Sequence, residues 1–117
     1  MKIYVTGLGV VSGIGIGVSE NIEALRQRKH GIGKITLFPT ALDVPVSEVK
    51  RSNEELKKLI SLPPQRTVSR TALLGMIAAE EAMKDAGLTP PLRIGFISAT
   101  SVGGMDLSEH FYESLAA

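Results

Sequence analysis

The stretch KIYVTGLGVVSGIGIG, residues 2 to 17, decides how the amino-terminal part of the chain is interpreted. Its β-branched and aromatic run, residues 3 to 6, is typical of a short buried strand. Five glycines follow this run: Gly7, Gly9, Gly13, Gly15 and Gly17. Such a loop either holds the phosphates of a nucleotide or lets the backbone turn and pack closely against another element.

The glycine spacing does not fit the phosphate-binding motifs. A dinucleotide fingerprint needs Gly-x-Gly-x-x-Gly, and after Gly7 and Gly9 its third glycine falls on Ser12. The short-chain dehydrogenase pattern places three residues between Thr-Gly and Gly-x-Gly, whereas five separate Gly7 from Gly13. The later GIGKIT has Ile35 where a P-loop needs a hydroxyl side chain. We therefore expect the glycines to serve turns and close packing.

Composition excludes several classes of function. The chain has 117 residues, is 44% apolar, has a formal net charge of +1 and contains no Cys. This predicts one small domain with no nucleic-acid partner, no disulfide and no cysteine nucleophile. His30 and His110 have no neighbours at metal-ligand spacing, so we predict no metal and no cofactor. With no signal peptide and no apolar run of about 20 residues, we expect a cytoplasmic protein that does not bind a membrane.

Two short helices are predicted after the glycines. The first runs from a cap at Ser19 to a stop at Gly31. Its apolar stripe consists of Val18, Ile22 and Leu25. The second begins with the capping-box pair Ser52 and Glu55 and ends before two prolines. Residues 32–51 are expected to form an irregular connection with at most one short strand.

A long helix and a second strand complete the predicted fold. The helix spans residues 66–87, and its apolar middle, residues 72–79, is expected to be buried on several sides. Small residues every fourth position would let another element approach it: Ala78, Ala82 and Ala86. Residues 92–100 are typical of a parallel strand, and a further helix starts at Met105. This order predicts an α/β fold with a narrow parallel sheet that appears incomplete, with open edges.

Four motifs occur in the order of one enzyme family. VTGLGVVSGIG, residues 5–15, is similar to an opening written VTGxGxxSPxG, with Gly13 in place of the usual proline. Three later stretches resemble the family's next motifs: EALRQRKHGIGKITLF (23–38), LLGMIAAEEAMKDAGL (73–88) and RIGFISATSVGGM (93–105). On these residues the chain resembles the β-ketoacyl-acyl carrier protein synthases, the condensing enzymes of fatty-acid and polyketide synthesis. The weakest match is residues 41–64.

The resemblance implies both a fold and an activity. Family members have a thiolase-like αβαβα layered fold, form homodimers, and condense an acyl thioester with malonyl-acyl carrier protein. Residues 1–117 would be a partial N-terminal synthase domain, an incomplete half of that fold. The family's catalytic cysteine and two histidines lie further along its chain. We therefore expect no catalytic residue in these 117 residues, and no activity from them alone.

The resemblance also implies binding residues. The loop and helix start that match the family's acyl pocket and dimer interface contain Val102, Met105 and Ser108, the last in place of a bulky apolar residue. Arg66 matches a basic residue that contacts the acyl carrier protein, and Arg70 is a second candidate, although neighbouring family lysines are absent. The alternatives are that the first three residues only cap a strand and start a helix, and that Arg70 is a solvated charge.

Two other functions stay open at this point. One is a non-catalytic partner, similar to the chain-length factors, that shapes the pocket of a true synthase. The other is a nucleotide-binding α/β domain. The residues found downstream would separate the first from an active synthase, and nucleotide titration would test the second.

Overall fold

The described part of the chain, residues 1–89, 91 and 93–116, combines four helices with two very small sheets. In this computed structural model the elements are β1 (Val11–Ser12), β2 (Gly15–Ile16), α1 (Val18–Arg26), β3 (Ile32–Gly33), β4 (Val46–Ser47), α2 (Asn53–Leu59), α3 (Arg70–Asp85) and α4 (Met105–Ala116). β1 pairs with β2 and β3 pairs with β4, both antiparallel. In the register, Val11 faces Ile16 and Ile32 faces Ser47. The mixture of helix and sheet agrees with the predicted α/β class.

The predicted parallel sheet is wrong for the described residues. Residues 1–10 and 93–100 have no regular secondary structure, and Leu92 lies outside the described part. The strands that do form are antiparallel and local, because the short connection from β1 to β2 closes at little entropic cost. Pairing residues 3–6 with the segment near residue 95 would instead require a crossover through almost the whole chain.

The ends of α1 differ from the prediction. Gly17, with φ 92°, is its N-cap, so Ser19 lies inside the helix. The helix ends well before Gly31 because Arg28 adopts the left-handed conformation, φ 54°, and its N–H donates to the Leu25 carbonyl at 3.0 Å. This is the geometry in which helices usually use glycine. Because an arginine adopts it here, the sequence pattern placed the end of α1 too late, at Gly31.

The other helix ends follow local sequence more closely. The predicted capping box of α2 is confirmed: Glu55 N–H donates to Ser52 Oγ at 3.2 Å, and Ser52 N–H donates to Glu55 Oε2 at 2.7 Å. α3 ends at Asp85, and Gly87, with φ 65°, stops it two residues later, as predicted. It begins at Arg70 rather than at residue 66, since Ser69 is its N-cap.

The buried face of α1 is not the predicted apolar stripe. Leu25 is 65% exposed and Ile22 is exposed as well, whereas Asn21 is only 7% exposed. The Asn21 side-chain amide donates to the carbonyls of Gly15 at 2.9 Å and Gly17 at 2.8 Å. A buried amide is stable only when hydrogen-bonded, and here its partners are the backbone of the glycine loop. The helix therefore packs through Asn21 and the small apolar Ala24, which is 6% exposed, rather than through Ile22 and Leu25.

The core lies between α2 and α3. Leu56 and Leu73 are fully buried and Ile77 nearly so. Partly buried neighbours surround them: Val11, Ile16, Val49, Ile60, Leu62, Val68 and Leu74. The middle of α3 is not buried on all sides, however, because Gly75 and Met76 are exposed. One flank of the apolar stretch thus has no cover within the described residues.

The glycine segment packs directly on the alanine face of α3. A Cβ added to Gly9 would overlap the Ala78 carbonyl oxygen, and one added to Gly7 would overlap that of Ala82 and lie 2.8 Å from the Ala86 Cβ. Real Cβ atoms do not approach other atoms so closely. The glycines and the predicted small-residue spacing of the helix therefore serve the same contact, as expected.

Two carboxylates of α3 fix this contact in register. Glu81 Oε2 accepts from Val10 N–H at 3.0 Å, and its Oε1 accepts from Val18 N–H at 2.7 Å. Asp85 Oδ2 accepts from Leu8 N–H at 2.9 Å. Backbone groups that no sheet satisfies are thus hydrogen-bonded by side chains of the helix.

Substituting two glycines tests this packing. We expect Gly9→Ala to destabilise the protein by at least about 1–3 kcal/mol, because the new methyl group must displace α3. Gly75→Ala is the control, because Gly75 lies in α3 itself and no atom lies within 4 Å of an added Cβ. This substitution should stabilise the protein by up to about 1 kcal/mol. Thermal unfolding of the purified proteins measures both. Equal melting temperatures for the two variants would contradict the packing argument.

Candidate functional site

The N-termini of α3 and α4 meet at one corner of the molecule. The backbone N–H of Arg70, the first residue of α3, donates to Asp106 Oδ2 at 2.7 Å. Gly104 lies so close to Ser69 that an added Cβ would be 3.3 Å from the serine Cβ. We call these four residues the helix corner. It brings the two groups of sequence-predicted binding residues into one region.

The three predicted pocket residues lie beside the helix corner. Val102 is 56% exposed and Met105 is 54% exposed, and Ser108 is exposed one turn further along α4. The preceding loop turns at Gly103, φ 60°, whose N–H donates to Thr100 Oγ1 at 3.1 Å. These side chains are therefore open to a ligand or to another protein surface.

Arg70 is held by the connection that leads into α2. Its Nη2 donates to the Val49 carbonyl at 2.6 Å, and its Nη1 donates to the Arg51 carbonyl at 3.0 Å and to Asn53 Oδ1 at 2.9 Å. The planar guanidinium suits this divergent set of acceptors. The Arg70 side chain is thus partly buried and hydrogen-bonded. It is neither freely solvated nor fully available for contact with another protein.

Arg66 differs from Arg70 in its surroundings. Its side chain is exposed, and its backbone N–H closes a turn to the Pro63 carbonyl at 3.0 Å. The guanidinium is therefore accessible at the surface just before α3. Of the two predicted carrier-protein residues, it is the more accessible.

Sequence reasoning missed Asp106 and the acceptors of Arg70. An acidic residue in the first turn of α4 is visible in the sequence and is favourable there. Its bond to a residue 36 positions away is not visible. The carbonyls of Val49 and Arg51 are equally hidden, since any residue type supplies a carbonyl group.

Local hydrogen bonds also set the ionisation of nearby carboxylates. The Ser52 N–H, and secondly the Arg51 side chain, hold the pKa of Glu55 below its usual value. The Thr36 hydroxyl does the same most strongly for the pKa of Glu48. Both carboxylates bond to residues at most 12 positions away in sequence, so they order the chain locally and indicate no acid–base chemistry.

The glycine segment is unsuited to phosphate. The amides of Leu8, Val10 and Val18 already donate to carboxylates of α3, as described above. The charged residues that line a cavity of about 440 Å³ beside the segment are three carboxylates and one lysine, Glu80, Glu81, Asp85 and Lys84. Their net negative charge would repel an anion. This geometry argues against the nucleotide-binding alternative.

Other site classes find no support in the described residues. Within residues 1–89, 91 and 93–116, no group of three or more histidine and acidic side chains could hold a metal ion. None of the helices in this part of the chain combines the length and apolarity needed to cross a bilayer.

Comparison with known proteins now gives the family. The model of the β-ketoacyl synthase N-terminal domain matches residues 1–116. The chain belongs to the β-ketoacyl synthase family. This agrees with the resemblance of its four motifs, and the family is one of acyltransferases.

Several curated members of the synthase family are similar along nearly the whole chain. The 3-oxoacyl-[acyl-carrier-protein] synthase 2 of Coxiella burnetii is 32% identical over 97% of this chain and 28% of its own length. Nodulation protein E of Rhizobium meliloti is 29% identical over 97% of this chain and 29% of its own length. A Staphylococcus aureus 3-oxoacyl-[acyl-carrier-protein] synthase 2 is 29% identical over 98% of this chain and 29% of its own length.

The chain therefore spans less than a third of the length of these relatives. No solved structure matches it significantly.

Removing the Arg70 side chain tests its anchoring role. We expect Arg70→Ala to lower the free energy of unfolding by about 1–3 kcal/mol, because several backbone acceptors lose their partner. Arg70→Lys should recover only part of this, since a lysine cannot bridge divergent acceptors. Arg26→Ala, which removes an exposed guanidinium from α1, is the control and should change little. Denaturant unfolding measures all three, and equal stability of Arg70→Ala and Arg26→Ala would refute the role.

Proposed function

We propose that this chain is the N-terminal part of a 3-oxoacyl-[acyl-carrier-protein] synthase. The enzyme would transfer an acyl group from a thioester onto malonyl-acyl carrier protein in fatty-acid or polyketide synthesis, with loss of the malonyl carboxylate as CO₂ and release of the thiol that carried the acyl group. The observation that carries the proposal is the family match over residues 1–116, together with relatives named as such synthases. The nucleophile lies outside these residues, which contain no cysteine. No resident cofactor is part of this proposal.

The proposal includes a thiolase-like layered fold for the complete domain. Consecutive apolar residues are exposed in two segments: Ile3, Tyr4 and Val5, and Ile94, Phe96 and Ile97. A strand covered on both faces needs apolar side chains at successive positions, unlike a strand with one solvated face. These segments are suited to inner strands of a sheet with helices on both sides. Residues 1–117 would then be a partial synthase domain.

The three residues beside the helix corner, Val102, Met105 and Ser108, would form one wall of the acyl pocket and part of a homodimer interface. Val102 and Met105 are apolar and exposed, as contact with an acyl chain or a partner subunit requires. Ser108 provides a small polar side chain on the same helix turn. The wall would therefore be shorter or more polar there than a bulky apolar residue would make it.

The acyl carrier protein would dock near the start of α3. Carrier proteins of this family's reactions are acidic, and Arg66 offers an accessible positive charge. Arg70 would add its charge from a fixed position behind the surface. Because relatives are named as synthases that act on the acyl carrier protein, we propose that the enzyme acts with that carrier in the cytoplasm.

Condensation by the full gene product tests the proposed activity. Incubation with a fatty acyl-carrier protein and malonyl-acyl carrier protein should yield a 3-oxoacyl product two carbons longer and a transient acyl adduct on the enzyme. Mass spectrometry detects both species. A product that forms only after a second synthase is added, with no adduct on this protein, would show the non-catalytic chain-length-factor role instead.

Charge reversal tests the carrier-protein contact. We expect Arg66→Glu to weaken binding of the acyl carrier protein about fivefold, corresponding to roughly 1 kcal/mol for an exposed ion pair. The effect should shrink at high salt because exposed charges are screened. Arg26→Glu is the control with the same change of charge on α1. Surface plasmon resonance measures both, and equal affinities for the two variants would remove Arg66 from the interface.

A further inference from the structure

We infer that Asp106 is a positioning residue that sets the orientation of α4, and with it the acyl specificity of the pocket. This inference rests on the proposed function. It starts from a single contact, the 2.7 Å hydrogen bond from the Arg70 N–H to Asp106 Oδ2. The carboxylate is partly buried and joins elements 36 residues apart in sequence.

Asp106 acts on two helix N-termini at once. The Arg70 N–H is one of the amides at the start of α3 that no helical carbonyl can satisfy. Asp106 accepts a hydrogen bond from this N–H. Its own position in the first turn of α4 places negative charge near the positive end of that helix. One side chain therefore stabilises both helix starts and fixes the distance between them.

Beyond its first turn, α4 presents much of its apolar surface to solvent. Its large apolar side chains beyond the first turn are exposed: Phe111, Tyr112 and Leu115. The turn that leads into the helix contains Gly103 in a left-handed conformation, φ 60°, followed by Gly104. Glycines permit many backbone conformations. The bond at Asp106 therefore fixes the direction in which the helix leaves this turn.

The pocket residues depend on that direction. Met105 precedes Asp106 and Ser108 follows it within the same helix turn, so both side chains move as the carboxylate moves. Arg70 is in turn anchored by its guanidinium to Val49, Arg51 and Asn53. The anchored start of α3 therefore fixes the position of Asp106, and Asp106 in turn fixes the residues of the proposed pocket wall.

Two measurements on the full gene product test the inference. In Asp106→Ala, hydrogen exchange followed by mass spectrometry should speed up about tenfold at the start of α3 and in the first turn of α4. The ratio of kcat/KM for a long against a short acyl donor should change by about tenfold, the effect expected for a displaced apolar pocket wall. Glu109→Ala, an exposed carboxylate on the same helix, should leave both unchanged.

Asp106→Asn keeps an acceptor oxygen, so its exchange rates and its kcat/KM ratio should lie between those of the wild type and Asp106→Ala. It takes the place of the alanine variant if that variant does not fold. Faster exchange with an unchanged kcat/KM ratio would overturn the positioning role, because the contact would then be merely structural. Unchanged exchange would overturn the contact itself. A wild-type protein inactive on every acyl donor would instead refute the proposed function, while the exchange data would still report on the Asp106 contact.

Discussion

The structure depends on the close approach of the glycine segment to α3. Gly7 and Gly9 bring the backbone to a distance from Ala78 and Ala82 that leaves no room for a side chain. Acidic side chains of the helix, chiefly that of Glu81, accept hydrogen bonds from the backbone amides of this segment. Steric fit alone would leave these amides unsatisfied, and hydrogen bonding alone would not bring the backbones so close. The two requirements together explain why small residues and carboxylates alternate on one helix.

This contact also accounts for what the glycine loop does not do. Amides that turn toward the carboxylates of α3 are not available to a phosphate, and the negative charge beside them opposes one. Glycine-rich loops after a strand are shared by nucleotide-binding proteins and by this synthase family, so composition does not distinguish them. The spacing of the glycines did distinguish them. The hydrogen bonds of the Val10 and Val18 amides give the physical reason why this segment does not bind phosphate.

A second constraint lies at the helix corner. There the backbone of Arg70 holds Asp106, and its side chain holds the connection that enters α2. The same arginine thus links three segments that are distant in sequence. In a member of the β-ketoacyl synthase family, this places the proposed carrier-protein surface and the proposed pocket wall on one framework. The family match and the apolar segments near Ile3 and Ile97 also fit a larger layered domain.

The sequence by itself determined the local features and the family. The capping box at Ser52 and the helix stop at Gly87 each depend on one residue and its near neighbours, so the pattern predicted them. The spacing of the glycines predicted close packing at Gly9, but not that its partner is Ala78. Tertiary structure decided the rest. The buried face of α1 contains Asn21 beside Ala24 because the Asn21 amide bonds to backbone carbonyls that no pattern reveals. Partners such as Asp106 are selected by distance in space, and a linear sequence does not record distance.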